Sequence, residues 1–318
     1  MPTRPGRCHT HMGQWCQRIE RIDWRKETRN NMSYSIYYNQ QYTGSEYAFD
    51  TTRKSGEIAT AITDGRVEAT LVDPVEHTDR TTDLIRSVHT DGYVDAVVNG
   101  DPLHLAESQG FSWDAGLPSM VIAHSTGLVA AVTEVLSGTS RVAGSLSSGL
   151  HHARAAHGSG FCTFNGLAVA ARAASDLGTE RILVLDLDAH CGGGTRSMTD
   201  PSSVVQIDVS TNLFDRWAPT GNDALLIATS QDYLERVDEA LALCDQVGPF
   251  DLVLYNAGMD PFDSGVSKGM LEIREQKVAE WAAAREHPLV FALAGGYTSR
   301  LSMAELVDLH LLTVGAFA

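Results

Sequence analysis

The chain has 318 residues, enough for one large α/β domain or two smaller ones, and its formal net charge is −16. This acidity disfavours contact with nucleic-acid phosphates and anionic membranes, so we expect neither partner, and it suits a cationic substrate. Five cysteines without regular spacing argue against a disulfide framework and favour a reducing, cytoplasmic compartment. We find no apolar run that approaches the roughly 20 residues of a membrane span, and no signal peptide.

The first 31 residues differ in composition from the rest of the chain. They hold seven basic and three acidic residues, and strand-like patterning begins only with SYSIYY at 33–38. We therefore expect an N-terminal extension over 1–31 that is disordered or not native, with Met32 as the true start, and one domain over 32–318. Four metal-capable side chains in the extension fit no zinc module well in their spacing, so a tail without metal is favoured: Cys8, His9, His11 and Cys16.

Apolar strands alternate with amphipathic helices along the rest of the chain. Strands are predicted at 33–38, 67–72, 142–146, 181–187, 203–209, 251–256 and 288–293. Helices are predicted at 81–88, 119–137, 164–176, 229–245, 270–285 and 302–314. The last four strands are unbroken apolar runs, which is typical of a parallel sheet covered on both sides. The pattern predicts a single α/β domain with a central, mostly parallel sheet and helices on both faces, whose ligands bind beyond the carboxyl ends of the strands.

The segment DLDAHCGGGT at 186–195 places an unusual set of polar groups after a buried strand. Successive side chains of a strand alternate between its two faces, so Asp186, Asp188 and His190 share one face. Two carboxylates and an imidazole crowded together destabilise one another unless a cation lies among them. Asp260, in NAGMDP after the strand at 251–256, completes an Asp₂His set with an open fourth position, as in catalytic zinc sites. Taken alone, Asp260 would read as a helix cap or a turn residue.

Two more polar signals follow predicted strands. His151 and His152 are adjacent, and beside an open metal site they suit proton transfer because histidine titrates near neutral pH. Without such a site, one of the two would be a buried histidine and the other an exposed one. Tyr297 follows the strand at 288–293, and taken alone it reads as a packing residue with its hydroxyl at the surface.

These motifs together resemble the histone deacetylase superfamily, which shares the arginase-type α/β fold, and in particular its bacterial amidohydrolases. The matching segments stand in the family's order: SGLHHA (148–153), GFCTFNG (160–166), DLDAH (186–190), AGMD (257–260) and GGY (295–297). SVHTDGYVDAV (87–97) is similar to an upstream helix of the family. The resemblance extends over residues 33–314.

The resemblance implies a zinc-dependent amidohydrolase with one zinc ion per chain. The three implied ligands of that ion are Asp188, His190 and Asp260. His152 would be the general base, with His151 as its tandem partner held by Asp186. Tyr297 would donate a hydrogen bond to the oxyanion that forms during hydrolysis. The implied reaction is hydrolysis of the N-acetyl or short acyl amide of an acetylated amine, either a protein lysine or a small molecule such as an acetylpolyamine.

The resemblance also implies substrate and cation contacts. Gly160 and Phe161 would line an acyl-lysine tunnel, with Gly296 beside them. Asp186 and Ser210 would belong to a structural site for a monovalent cation such as K⁺. Homo-oligomerisation stays open.

The chain departs from the family at several positions. The family commonly has a second histidine and then Asp or Asn where this chain has Cys191 and Gly193. Because that Asp or Asn normally orients the second tandem histidine, His152 is expected to lack its partner. Turnover is then expected to be modest, and Gly193→Asn or Gly193→Asp to raise it. Ala218 stands near the place of a tunnel aromatic, and its smaller side chain is expected to widen the channel. Asp114 matches loosely an acidic residue that grips the substrate backbone.

Two other functions stay open at this point. A dinuclear manganese ureohydrolase uses the same fold, but it needs a second carboxylate two residues before Asp260, where this chain has Gly258. A non-catalytic binding protein is suggested by Gly193, whereas the intact His152 and Tyr297 argue for an enzyme.

Overall fold

The computed structural model describes residues 34–318, so the predictions for residues 1–31 lie outside the described residues. One sheet of eight strands crosses this part of the chain. The strands are β1 (Ser35–Tyr37), β2 (Thr70–Val72), β3 (Val142–Ser145), β4 (Ile182–Asp186), β5 (Val204–Ser210), β6 (Ala224–Ile227), β7 (Leu252–Gly258) and β8 (Leu289–Ala294). Their order in the sheet is β2-β1-β3-β8-β7-β4-β5-β6, and each neighbouring pair is parallel. The predicted fold class is confirmed.

Ten α-helices connect the strands within residues 34–318. They are α1 (Asp50–Thr63), α2 (Thr78–Val88), α3 (Asp91–Asn99), α4 (Leu103–Ala106), α5 (Leu117–Leu136), α6 (Gly166–Asp176), α7 (Gly193–Met198), α8 (Tyr233–Val247), α9 (Lys268–Ala284) and α10 (Met303–Ala316). Helix α8 begins four residues later than predicted, because Thr229 donates two hydrogen bonds to the Asp232 carboxylate and forms a turn there.

Two apolar cores lie on opposite faces of the sheet, which explains the unbroken apolar runs. In β4, Leu183 and Leu185 point into the core that includes α1, α8, α9 and α10. Ile182 and Val184 point into the second core, with α2, α3, α5 and α6. Alternate side chains of a parallel strand are therefore both buried, as the sequence predicted.

Helix α5 differs from expectation in one respect. Its 20 residues are long and apolar enough to cross a membrane by length and composition, whereas the sequence pattern predicted no such segment. Of the most apolar 18-residue stretch of this helix, 72% is buried inside the described part of the chain. It packs against α6 and β3, so its apolar character is that of a core helix.

The sheet order brings the predicted polar residues to one edge. Strands β3, β8, β7 and β4 are consecutive neighbours, and their carboxyl ends lie at the same side because all are parallel. The loops that follow them carry the tandem histidines, Tyr297, Asp260 and the DLDAH motif. The candidate site is therefore assembled from four adjacent loops.

Candidate active site

Asp188, His190 and Asp260 converge at the ends of β4 and β7. One ligand atom from each lies within 4.8 Å of the others. The Nδ1 atom of His190 is 3.1 Å from Asp188 Oδ1 and 2.9 Å from Asp260 Oδ2. Both carboxylates are buried and His190 is half-buried. The three residues that the resemblance marked as ligands thus form one cluster.

The charges in this cluster favour a cation at its centre. Burial alone would lower the pKa of His190, but the Asp188 and Asp260 carboxylates outweigh it and raise that pKa to about 11. Burial and the neighbouring Asp188 raise the pKa of Asp260 to about 6. Two buried carboxylates that share one imidazole need positive charge between them, which a metal ion supplies.

Arg274 in α9 supports the backbone behind this cluster. Its Nη1 donates to the carbonyl of Leu187 at 3.1 Å and to the carbonyl of Gly258 at 2.6 Å. These carbonyls belong to residues one position before Asp188 and two before Asp260. Arg274 is fully buried and is paired with Glu275, so it ties the ends of β4 and β7 together. Arg274 was not predicted from the sequence, because EIREQK is typical of a solvated helix face.

Gly258 marks the tightest approach between the two strand ends. A Cβ atom on Gly258 would lie 2.3 Å from the Cα atom of Asp188, so no side chain fits there. The second carboxylate of a dinuclear site therefore has no room at this position.

His151 lies between two carboxylates. Its Nδ1 is 2.6 Å from Asp186 Oδ2, the contact that the resemblance implied, and its Nε2 is 3.5 Å from Asp188 Oδ1. Burial alone would lower the pKa of His151, but Asp186 and Asp188 raise it to about 10. Asn256 holds Asp186 in place by donating from Nδ2 to Oδ1 at 2.8 Å. These contacts fix the His151 ring and favour its protonated form.

His152 does have an orienting partner, so the prediction that it lacks one was wrong. Its Nδ1 donates to Asp215 Oδ2 at 3.0 Å. Asp215 belongs to the loop after β5, not to the DLDAH segment where the family carries this residue. A Cβ atom on Gly193 would lie 2.3 Å from the Asp215 carbonyl oxygen and 2.7 Å from its Oδ1. The space of the absent side chain at 193 is thus filled by Asp215.

The protonation state of His152 differs from that of His151. Burial and the positive charge on His151 lower the pKa of His152 to about 4, although Asp215 acts in the opposite direction. His152 is therefore neutral at pH 7, with the proton on Nδ1. Within residues 34–318 no hydrogen bond engages its Nε2.

Tyr297 lies at the same edge of the sheet, after β8. Burial, with the nearby charges of Asp260 and Asp188, raises the pKa of its phenol. The hydroxyl therefore stays protonated, and within the described part of the chain it makes no hydrogen bond. It remains available as a donor to a bound molecule.

An aromatic ring stands over the two histidines. Phe214 makes edge-to-face contacts with His152 at 4.8 Å and with His190 at 6.0 Å between ring centroids. Ala218, which the sequence analysis placed near this aromatic position, is exposed. The chain thus keeps an aromatic side chain at the site, and the expected widening at Ala218 does not follow.

Of the other predicted substrate residues, Gly160 lies against His152, and Gly296 faces away from it. A Cβ atom on Gly160 would lie 2.5 Å from His152 Cδ2, and Phe161 stacks on Phe49 with centroids 3.9 Å apart. A Cβ atom on Gly296 would instead lie 2.4 Å from Leu306 in α10. The substrate roles of these three residues stay predictions.

Two further predicted contacts are engaged within the protein. Asp114 accepts hydrogen bonds from Ser45 Oγ and from three backbone N–H groups, which ties the start of α5 to an earlier loop. Ser210 donates to the His190 carbonyl at 3.3 Å.

Asp208 is a second buried carboxylate near Asp186, and it was not predicted from the sequence. Burial and the neighbouring Asp186 raise the pKa of Asp208 to about 7. The monovalent-cation site at Asp186 and Ser210 stays a prediction.

Comparison with known proteins agrees with this geometry. The model of the histone deacetylase domain matches residues 48–215. Histone deacetylase 2 of Arabidopsis thaliana is 32% identical over 168 residues, which are 48% of this chain and 43% of that protein. This chain thus matches less than half the length of the Arabidopsis protein. An uncharacterised protein of Picosynechococcus sp. is 30% identical over 246 residues, which are 71% of this chain and 78% of that protein.

A solved structure shows the same fold. Acetylpolyamine aminohydrolase from Burkholderia pseudomallei has a TM-score of 0.71 to this chain, with 19% identity over 90% of this chain and 98% of that one. At that identity the likeness concerns the fold. The matched domain model covers more than half of the chain, and the Picosynechococcus relative is similar over most of its length. This chain belongs to the histone deacetylase family.

Proposed function

We propose that this chain is a zinc-dependent amidohydrolase that removes an acetyl or other short acyl group from an acetylated amine. One observation carries the proposal: Asp188, His190 and Asp260 converge beside a neutral, oriented His152 and a free Tyr297 hydroxyl. Family membership supports the same class of reaction.

The donor atoms of the cluster suit zinc. Imidazole nitrogen and carboxylate oxygen are ligands that Zn²⁺ accepts, and three protein ligands leave a fourth position for a water molecule or substrate. Asp260 Oδ2 is buried and lies 2.9 Å from His190 Nδ1, yet it accepts no well-aligned hydrogen bond within the described residues. A cation held by these three residues would satisfy that oxygen. When bound, zinc supplies Lewis acidity for the amide carbonyl and lowers the pKa of water.

The other polar residues of the site have separate roles in proton transfer and in hydrogen bonding to the substrate. His151 lies between Asp186 and Asp188, and its Nδ1 is engaged by Asp186, which favours the protonated imidazole and leaves the base role to His152. His152 carries its proton on Nδ1 and accepts the proton of the attacking water at Nε2, after which Asp215 stabilises the imidazolium. The Tyr297 hydroxyl donates to the developing oxyanion, an interaction worth about 3–4 kcal/mol in comparable sites. His152 then returns the proton to the leaving amine.

The negative charge of the chain favours a cationic acetylated amine as the substrate. The net charge of −16 attracts polyamines and basic lysine-containing segments. A structural neighbour named acetylpolyamine aminohydrolase supports the first of these classes, and relatives named histone deacetylase support the second. We further propose a cytoplasmic, reducing setting without nucleic-acid or membrane partners.

The test combines metal content with turnover. The metal-free chain is reloaded with Zn²⁺ or Mn²⁺, and elemental analysis is paired with release of acetate from a fluorogenic acetyl-lysine amide and from an acetylated polyamine. We expect one zinc ion per chain and hydrolysis that Asp260→Ala abolishes together with metal binding, since two ligands form an incomplete cage. Two manganese ions per chain with urea release, or zinc binding without any hydrolysis, would contradict the proposal.

A further inference from the structure

We infer that Asp215 is the positioning residue of His152, and that it acts as the middle member of a chain of contacts from Arg154 through Asp215 to His152. This inference rests on the proposed function. No family motif marks position 215, and the resemblance places the corresponding carboxylate or amide at position 193.

The contacts of Asp215 are those of a fixed orienting carboxylate. Its Oδ2 accepts from His152 Nδ1 at 3.0 Å and from the Gly194 N–H at 2.8 Å. Its Oδ1 accepts from Arg154, and the side chain is only 7% exposed. Because a carboxylate only accepts, the His152 proton must sit on Nδ1, and Nε2 is left with its lone pair for the reacting water.

The loop that carries Asp215 is held against the DLDAH segment. The Cys191 N–H donates to the Phe214 carbonyl at 3.0 Å, and the Cys191 thiol donates to the Asn212 carbonyl at 3.4 Å. Gly193 leaves the room that the Asp215 backbone and carboxylate occupy. Both departures from the family, Cys191 and Gly193, therefore face one loop and accommodate it.

The backbone at Asp215 has a conformation that few residues adopt. Its φ is +58°, in the left-handed region, which for a residue other than glycine costs about 1 kcal/mol or more. Such a conformation persists where surrounding contacts hold it, and here these contacts aim one carboxylate at one imidazole. The observed strain therefore coincides with the positioning role.

The first test compares three variants as zinc-loaded enzymes. Asp215→Ala should lower kcat about 10- to 100-fold with little change in KM or zinc content, because the imidazole loses its partner. The melting temperature should fall as well, because the Gly194 N–H and Arg154 lose their acceptor. Asp215→Asn should recover part of that loss, since the Gly194 N–H selects an oxygen at the Oδ2 position, whereas the amide nitrogen at the other position cannot accept from Arg154. Arg216→Ala, an exposed charged neighbour on the same loop, is the matched control and should behave as wild type.

A double variant shows whether Asp215 acts through His152. In a His152→Ala background, Asp215→Ala should have almost no further effect on kcat, because the group it positions is gone. A further 10- to 100-fold loss in that background, or an unchanged kcat in Asp215→Ala alone, would overturn the inference. If Asp215→Ala does not fold, Asp215→Gly takes its place in both comparisons, because glycine adopts the positive φ of this position without strain and also lacks the carboxylate.

A readout without turnover separates this inference from the proposed function. Imidazole ¹H–¹⁵N spectra of the zinc-loaded wild type should show a protected Nδ1–H of His152, assigned by its loss in His152→Ala. The signal should disappear in Asp215→Ala and persist in Arg216→Ala. Its persistence in Asp215→Ala would overturn the inference whether or not the protein hydrolyses amides. Absence of hydrolysis by wild type, with the signal as expected, would overturn the proposed function alone.

Discussion

Replacing Gly193 with alanine should damage catalysis, the reverse of the gain that the sequence alone predicts for Gly193→Asn or Gly193→Asp. The new Cβ atom would lie 2.3 Å from the Asp215 carbonyl oxygen. A carbon and an oxygen approach to about 3.3 Å, so the Asp215 backbone must retreat by about 1 Å. The hydrogen bond from His152 then lengthens from 3.0 Å to about 4 Å, beyond hydrogen-bond range.

The loss can be converted into a rate. A hydrogen bond to a charged group contributes about 1.5–3 kcal/mol, so kcat should fall about 10- to 100-fold. Overpacking at the same site should lower the free energy of unfolding by about 1–3 kcal/mol.

The measurement is steady-state kinetics on zinc-loaded protein, with thermal unfolding in parallel. Gly269→Ala is the matched control, because a Cβ atom at Gly269 meets nothing within 4 Å and the residue lies in α9. It should leave kcat unchanged. If Gly193→Ala or Gly193→Asn turns over faster than wild type, the loop does not occupy the space at 193, and Asp215 does not hold His152.

Three further outcomes are expected. Tyr297→Phe should keep its zinc and lose about 10²- to 10³-fold in kcat, as expected for one oxyanion donor; wild-type turnover would remove Tyr297 from the mechanism. Burial lowers the pKa of His89 and of His124 to about 4 in the folded state, against about 6.5 unfolded, so their stabilising contribution is complete above pH 6.5 and is lost as the pH falls towards 4. Chemical denaturation should then show a free energy of unfolding that falls by about 3 kcal/mol for each histidine at most, and a flat curve between pH 7 and 5 would contradict this. Deletion of residues 1–31 should leave melting temperature and turnover unchanged, and a large loss of either would show that the segment supports the domain.

The sequence predicts well those strands whose two faces are both buried. It predicts poorly the elements that are only partly buried. Strands such as β4 and β7 are apolar throughout because both faces pack against helices, and that pattern is legible without partners. Strand β6 is a half-buried edge strand of four residues, and it carries too little periodicity to be predicted. Helix α1 mixes threonine, lysine and glycine with few large apolar residues, so its amphipathic pattern is weak.

The metal cluster was predictable because its residues stand at strand ends. In a parallel sheet, neighbouring strands deliver their carboxyl-end loops to one place, so Asp188, His190 and Asp260 had to meet if the strands were neighbours. Arg274 and Asp215 follow no such rule. Arg274 is 84 residues beyond His190 in the chain, on a helix whose buried side is decided by packing. Asp215 lies in a loop, where the backbone path is set by contacts that no periodicity encodes.

The chemistry of His152 constrains the position of an oxygen atom, and it does not constrain which part of the chain supplies that oxygen. A carboxylate about 3 Å from Nδ1 fixes the tautomer whether it comes from position 193 or 215. The two positions cannot both carry the group, because the Asp215 backbone occupies the volume that a side chain at 193 would need. Gly193 is therefore part of the arrangement that holds His152, because it leaves room for the loop that carries Asp215. Asp215 then makes the contact with His152 that a side chain at 193 makes in the family. In the sequence alone, where this loop is not visible, Gly193 suggests that the contact has been lost.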